Sequence, residues 1–275
     1  MSLDPVLTAH LFPKLDGLLI ELLQSLSPYD WTRQTIAPKW KVKDVTAHLL
    51  DTALRRISMG RDGYRPELDP SGPFDVVAFV NRMNAEGVAW YARLSPQVLI
   101  SLIELTSREM AAYFASLDPM AQASFGVSWA GEEKSLNWFD IAREFTERWH
   151  HQQQIRLATN KPGIMTKELY YPVLDCFMRA LPFAYRSIPR PSESLLRANV
   201  IGESGGSWFL YRTDKSWQLV PGTTGNLIAE VDIPQEIAWR IFTKGIAREE
   251  ASRQLTMRGD QTLAAHCLNV ISIVG

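Results

Sequence analysis

The 275-residue chain carries 29 Lys and Arg against 30 Asp and Glu, a net charge of −1 with both signs spread along its length. That balance argues against the concentrated basic patch on which nucleic-acid or membrane-surface binding depends, and leaves a small-molecule substrate or a protein partner as the expectation. The length allows one large core or two smaller ones, and apolar runs such as Leu18-Leu19-Ile20 or Val270 to Val274 fall far short of the roughly 20 residues of a membrane-spanning helix. The start Met-Ser-Leu-Asp-Pro lacks the pattern of a secretory signal, and Cys176 and Cys267 are the only cysteines. A cytoplasmic protein with both thiols reduced and packed is expected.

In chain order, Leu7, Leu11, Leu15, Leu18, Leu22 and Leu26 repeat at three- and four-residue steps and predict a helix over 5–27. After a turn-rich stretch, Val42, Val45, Leu49, Ala53 and Ile57 predict a second helix, ended by Gly60. Residues 61–78, rich in proline and glycine, read as a long loop. Helical patterns resume over 77–94 and 96–117, broken at Ser95-Pro96, which has the form of an N-cap followed by proline. Residues 118–136 form turns. Asn137 then serves as the capping residue of a helix to about Ala158, stopped by Asn160-Lys-Pro-Gly163. Leu169, Val173, Phe177, Ala180 and Ala184 mark one more helix, closed by Pro189 and Pro191.

Beyond Pro191 the period changes. Short runs at 196–201, 208–211, 217–220 and 227–231, divided by glycine-rich turns, predict strands and hairpins. Helices at 234–242 and 260–268 flank another strand at 255–258. The fold expected is therefore α+β and multidomain, with a helical bundle over 1–188 followed by a small α/β domain over 189–275.

Two polar stripes border the apolar faces. At about 100° per residue, Asp140, Glu144, Glu147, His151 and Gln154 share a narrow sector of one helix, and Asp44, His48, Thr52 and Arg55 share a sector of another. Glu147 and His151, one turn apart, can grip one ion, and His150 is also within chelating reach of Glu147. Ligands converging from facing helices are what a metal site inside a bundle requires. Two imidazoles and a carboxylate suit zinc and leave coordination positions open, although iron(II) and nickel accept similar sets. Each signal has a plainer explanation. A lone helix histidine is more often a packed or solvated side chain, and Glu-x-x-x-His pairs occur on solvated helices as simple i,i+4 contacts.

Other signals carry less. Gly202-Glu-Ser204-Gly-Gly206 matches the nucleophile-elbow pattern, yet Ser207-Trp-Phe-Leu-Tyr211 continues as a strand where an elbow requires a helix, so a hairpin turn explains it better. Trp40 and Trp149 are the tryptophans expected near the metal. Arg55, Arg82 and Arg258 are candidates to hold a substrate carboxylate bidentately, each with a solvated surface arginine as the alternative.

The stretch Ser27-Pro28-Tyr29-Asp30-Trp31, followed by Trp40-Lys-Val-Lys-Asp-Val-Thr-Ala-His48, resembles the start of the DinB-like superfamily, most closely its mycothiol-dependent maleylpyruvate isomerase branch. Those proteins follow Trp-x-Val-x-Asp-x-x-x-His with a later Glu-x-x-x-His, matched here by Glu147-Arg-Trp-His-His151. The segment Leu255-Thr-Met-Arg-Gly259-Asp260 is similar to the sterol-carrier-like domain of many members. The resemblance implies a DinB-like four-helix bundle whose His48, Glu147 and His151 hold a divalent metal, zinc foremost, with His150 outside the ligand set and Asp44 or Glu144 orienting a ligand. It further implies a low-molecular-weight thiol such as mycothiol as cofactor, and an isomerase or S-transferase activity. Arg55 and Arg258 are the residues expected to contact the substrate, a reading from residue type and not from the resemblance. The ending Cys267-Leu-Asn-Val-Ile-Ser-Ile-Val-Gly275 differs from the Trp- and Arg-containing ending of isomerase members. Two alternatives stand beside this one: a metal-dependent hydrolase, and a non-enzymatic, metal-stabilised small-molecule binding protein.

Overall fold

The computed structural model describes residues 3–65, 76–222 and 224–273, so most of the loop expected over 61–78 lies outside the described residues. The first helix, α1 (Phe12–Gln24), begins later than its leucine period suggests. Pro13 sits in its first turn, where the missing N–H costs nothing, and residues 9–11 form only a 3-10 turn before it. Leu15, Leu19, Leu22 and Leu23 turn inward, whereas Leu7 is exposed.

Helix α2 (Val42–Arg56) is capped by the Asp44 carboxylate, which accepts the backbone N–H of Lys41 at 2.9 Å. Gly60 does not end this element. The chain runs on through a π-type turn over Ile57–Arg61, and Gly60 lies so close to Tyr113 that a Cβ there would stand 3.0 Å from the phenol oxygen. Its role is close approach rather than termination. Helices α3 (Val76–Tyr91) and α4 (Pro96–Ser116) are separate, and Ser95 caps α4 by accepting the Val98 N–H at 3.3 Å. The long α5 (Asn137–Thr159) follows, ended by Asn160 in the left-handed region at φ 54°. Asn137 is its first helical residue and caps nothing; its side-chain amide donates instead to the Asp118 carbonyl at 2.9 Å.

Helices α1, α2, α4 and α5 close a four-helix bundle, with α2 on α4, α4 on α1, α1 on α5 and α5 on α2; α3 packs outside against α2. The helix expected over 169–184 is two, α6 (Lys167–Met178) and α7 (Leu181–Ala184). A five-stranded sheet completes the fold, in the order β3-β2-β1-β4-β5, from β1 (Ser194–Ile201), β2 (Gly206–Arg212), β3 (Trp217–Val220), β4 (Asn226–Pro234) and β5 (Thr256–Gly259). Only β1 and β4 run parallel. Helices α8 (Gln235–Phe242), α9 (Arg248–Ser252) and α10 (Gln261–Ala265) complete the chain, and α9 had no signal in the apolar pattern. The architecture is α+β, a helical bundle followed by a mixed α/β unit.

The sheet buries Leu196, Ala198, Val200, Leu210, Val231 and Ile233 in one continuous core with Phe12, Phe145 and Phe177 of the helices. Helix α6 joins the two regions: the Tyr170 hydroxyl donates to the Gln235 carbonyl at 2.7 Å, and the Trp208 indole donates to Asp175 at 2.7 Å. Both cysteines are free and buried. Among the described residues, no helix is long and apolar enough to cross a membrane.

Candidate metal centre

Helix α5 buries most of its polar side chains, among them Asp140, Arg148, His150, His151 and Gln154. A helix that hides its polar stripe must face an interior polar site, because desolvated polar groups persist only where they find partners. That site opens on a cavity of 910 Å³ bounded by α2, α3, α5, the 36–40 turn and, from the C-terminal region, Thr243–Gly245 and Ile273.

At its wall, Glu147, His150 and His151 offer ligand atoms that all lie within 4.8 Å of one another. The Glu147 Oε2 is 3.6 Å from His151 Nε2 and 3.7 Å from His150 Nδ1. Donors around one tetrahedral zinc stand about 3.3 Å apart, so these separations fit a shared ion after small rotations. His48 arrives from α2 with its ring 4.6 Å from that of His151, and Trp40 covers both, 4.6 Å from His48 and 5.9 Å from His151. The Nδ1 atoms of His48 and His150 are buried with no hydrogen-bond partner, which is the state of a ligand atom waiting for a cation.

Electrostatics point the same way. Burial drives the His48 and His150 imidazoles well below their ordinary range, with neighbouring imidazoles adding to the shift, and takes His151 to about 4 against the opposing bond to Gln154. All three are therefore neutral, with lone pairs available, near pH 7. Burial lifts Glu147 to about 7; Arg143 opposes the shift and Glu144 adds to it. A carboxylate so poorly compensated gains most from a divalent ion. The residues present thus fit a metal in number, type and protonation state.

The sequence missed one partner. His151 Nδ1 lies 3.0 Å from Gln154 Oε1, so the ring donates its Nδ1–H there and turns the Nε2 lone pair toward Glu147, the usual way an outer partner fixes a ligand histidine. Asp44 instead caps α2, and Glu144 pairs with Arg143 at 2.7 Å. Gln154 shares the sector of Glu147 and His151, which was the available signal.

Arg55 lines the cavity, paired with Asp51 at 2.9 Å and donating to Asn84 at 2.8 Å. Arg258 does not reach it: it lies on β5 of the sheet, 2.8 Å from Asp232 and 53% exposed. Arg82 is exposed beside Glu86. Trp149 is also away from the site, stacked on Tyr170 at 4.5 Å with its indole donating to the Ile164 carbonyl. Ser204 sits in the turn between β1 and β2 with its hydroxyl donating to the Met165 carbonyl at 2.8 Å, a structural bond in place of a catalytic one.

With this geometry in view, residues 13–156, more than half of the chain, match the family model described as the mycothiol maleylpyruvate isomerase N-terminal domain. The chain belongs to that family. The matched span takes in α1 to α5 short of the last turn, and so includes every donor of the mycothiol maleylpyruvate isomerase-type bundle described above. The crystal structure of the mycothiol-dependent maleylpyruvate isomerase is similar over 90% of both chains at 12% identity with a TM-score of 0.54, and a histidine-to-alanine mutant of that enzyme gives 0.52 at the same identity and coverage. At that identity the likeness is one of fold. No curated protein matches the sequence.

Proposed function

We propose that this chain is a divalent-metal enzyme that uses a low-molecular-weight thiol such as mycothiol, with residues 1–188 holding the metal and residues 189–275 supplying part of the substrate wall. The observation that carries the reading is the set of neutral imidazoles and one uncompensated carboxylate gathered at the wall of a 910 Å³ cavity. The ligands proposed are His48, Glu147 and His151, with zinc as the metal. Both His48 and His150 have a buried Nδ1 without a partner; His48 is proposed as the third donor because it comes from the facing helix α2, whereas His150 also bonds to the Thr146 backbone of its own helix. Arg55, already paired with Asp51 and donating to Asn84, is proposed to offer substrate no more than a single N–H contact.

A divalent ion bound there lowers the pKa of a thiol that reaches it, so that thiolate is present at neutral pH. The chain's own residues do the rest. Gln154 holds His151 in the tautomer that presents Nε2, Trp40 shields the imidazoles from water, and Arg143 steadies the carboxylates beside Glu147. Addition of the thiolate to an activated carbon–carbon double bond forms a C–S bond and moves the π pair to the neighbouring carbon. Rotation and elimination then give the isomerase outcome; protonation and release give the transferase outcome.

The test is metal analysis of the wild type and of His48→Ala, Glu147→Ala, His150→Ala and His151→Ala, followed by turnover with and without mycothiol. One metal per chain, lost on substitution of His48, Glu147 or His151 and kept in His150→Ala, is the expected result. Full occupancy in Glu147→Ala contradicts the ligand set, and turnover independent of thiol replaces the mechanism with metal-assisted hydrolysis.

A further inference from the structure

Among the described residues, the cavity carries four arginines, and each is already paired with a carboxylate of the chain. Arg55 pairs with Asp51 and Arg56 with Asp140. Arg143 pairs with Glu144, and Arg148 with Asp16. Three of the four hold a further polar partner: Arg55 on Asn84, Arg143 on Asp140, and Arg148 on Ser107 and the Leu49 carbonyl. The carboxylates match the guanidinium groups one for one, which leaves Glu147 for the metal. A divalent ion with Glu147 then keeps one net positive charge, enough to neutralise a single thiolate.

Nothing in that balance is set aside for a compact substrate bearing two carboxylates, which calls for guanidinium forks open to bidentate contact. The other cations of the lining, Lys39 and Lys244, are exposed ammonium groups, point charges rather than planar forks. Most of the remaining wall is apolar, with Met59, Phe79, Met83, Met110, Phe125 and Ile273 among its side chains, and apart from Gln154 its neutral polar positions are few: Thr52, Asn81, Asn84, Ser128 and Thr243. Three of the apolar side chains are methionines, unbranched and polarizable, which fit shapes of varied outline. The volume of 910 Å³ lies at the upper end of the range for drug-sized ligands, about 300–1,000 Å³.

From this charge balance and wall we infer that the electrophile is bulky and mainly apolar, such as an aryl-substituted enone, and not a compact dicarboxylate. The inference rests on the thiol-using metal site proposed above. In the reaction the thiol sulfur bonds to the β-carbon, the π pair moves to the α-carbon, and the thiol's proton is returned there through solvent, so that thiol and enone give one thioether.

The experiment uses the full chain. Cobalt(II) replaces the native metal and mycothiol is added; a sulfur-to-cobalt charge-transfer band shows that thiol reaches the metal. The zinc-loaded protein is then assayed with mycothiol and either 4-phenyl-3-buten-2-one or maleylpyruvate. The expected result is a kcat/KM for the phenyl enone at least about 10-fold that for maleylpyruvate, the scale on which apolar pockets discriminate. Met83→Arg, which adds an unpaired fork to the apolar wall, narrows or reverses the ratio. The thiol band together with equal or better use of maleylpyruvate, or with no catalysed addition to the enone, overturns the substrate inference and leaves the metal–thiol site standing. Absence of the thiol band overturns that site, and the inference with it.

Discussion

Two of the arginine–carboxylate networks among the described residues have contrasting surroundings. On the outer face of the sheet, Arg197 pairs with Glu230, and Arg258 with Asp232 beside Asn199. In the bundle, Arg56 and Arg143 converge on Asp140, whose side chain is 2% exposed. The residue types are the same, but water reaches the guanidinium groups of the first network, 35% and 53% exposed, far more than those of the second, 5% and 18% exposed. Exposed pairs contribute about 0–1 kcal/mol, whereas removing one partner of a buried set strands the others at about 3–5 kcal/mol. Burial, and not the residue list, therefore separates the structural ornament of the sheet from the scaffold of the metal site.

The comparison is sharpest at Asp140. Asp140→Ala leaves two guanidinium groups short of a partner in the core and is expected to lower the free energy of unfolding by about 3–5 kcal/mol in a urea titration. A loss below about 1 kcal/mol would mean that water reaches the network.

Metal affinity tests the other buried carboxylate. Glu147 has its pKa raised to about 7 in the metal-free protein, so a proton competes with the ion below that pH. Affinity is expected to fall about tenfold per pH unit from 7 to 5, roughly 100-fold in all, and to level off above 8. Calorimetry in buffers of different ionisation enthalpy should count close to one proton released at pH 6 and close to none at pH 8.5. The stability sign agrees. The raised pKa favours the metal-free fold most below about 4.5, and that contribution is lost as pH rises through 7. The thermal shift on adding metal should therefore grow over that interval.

Gln154→Leu removes the acceptor for the His151 Nδ1–H without touching a ligand. Metal affinity is expected to fall about 10- to 100-fold, and Gln154→Glu to restore it, both read by competition with a chromophoric chelator. Unchanged affinity in the leucine variant would make the bond incidental. The smallest effect belongs to the sheet: Arg258→Ala should change unfolding free energy by about 0–1 kcal/mol and leave metal content and turnover as they are. A large loss of kcat with unaltered stability would bring Arg258 back to the site.

Much of this was legible in the sequence because it depends on local period. The 3.6-residue repeats located the bundle helices, Ser95-Pro96 marked the start of α4, and the shared sector of Glu147 and His151 survives as a 3.6 Å approach. The errors have physical causes. Leu7 fits the leucine repeat, but Pro13 fixes the start of α1. Trp149 was expected at the metal although two residues from Glu147 means about 200° of rotation, to the opposite side of α5, where it stacks on Tyr170. Gln154 was visible on the right stripe, but its hydrogen bond is a matter of rotamers. The apolar wall from Phe79 and Met83 depends on how α3 docks on α2, where Gly87 lets the helices approach until a Cβ would stand 2.4 Å from the Asp51 carboxylate. No local pattern encodes that contact.

The central claim is a metal held at the cavity wall by residues from two facing helices. It is tested most directly by metal content per chain in the wild type, His48→Ala and Glu147→Ala, each purified without chelator and checked for native folding by circular dichroism. The account predicts one equivalent of a divalent ion in the wild type and below about 0.1 in each folded variant, in keeping with a loss of at least one protein ligand. Full occupancy in either folded variant, or no metal in a wild type given zinc, would contradict it.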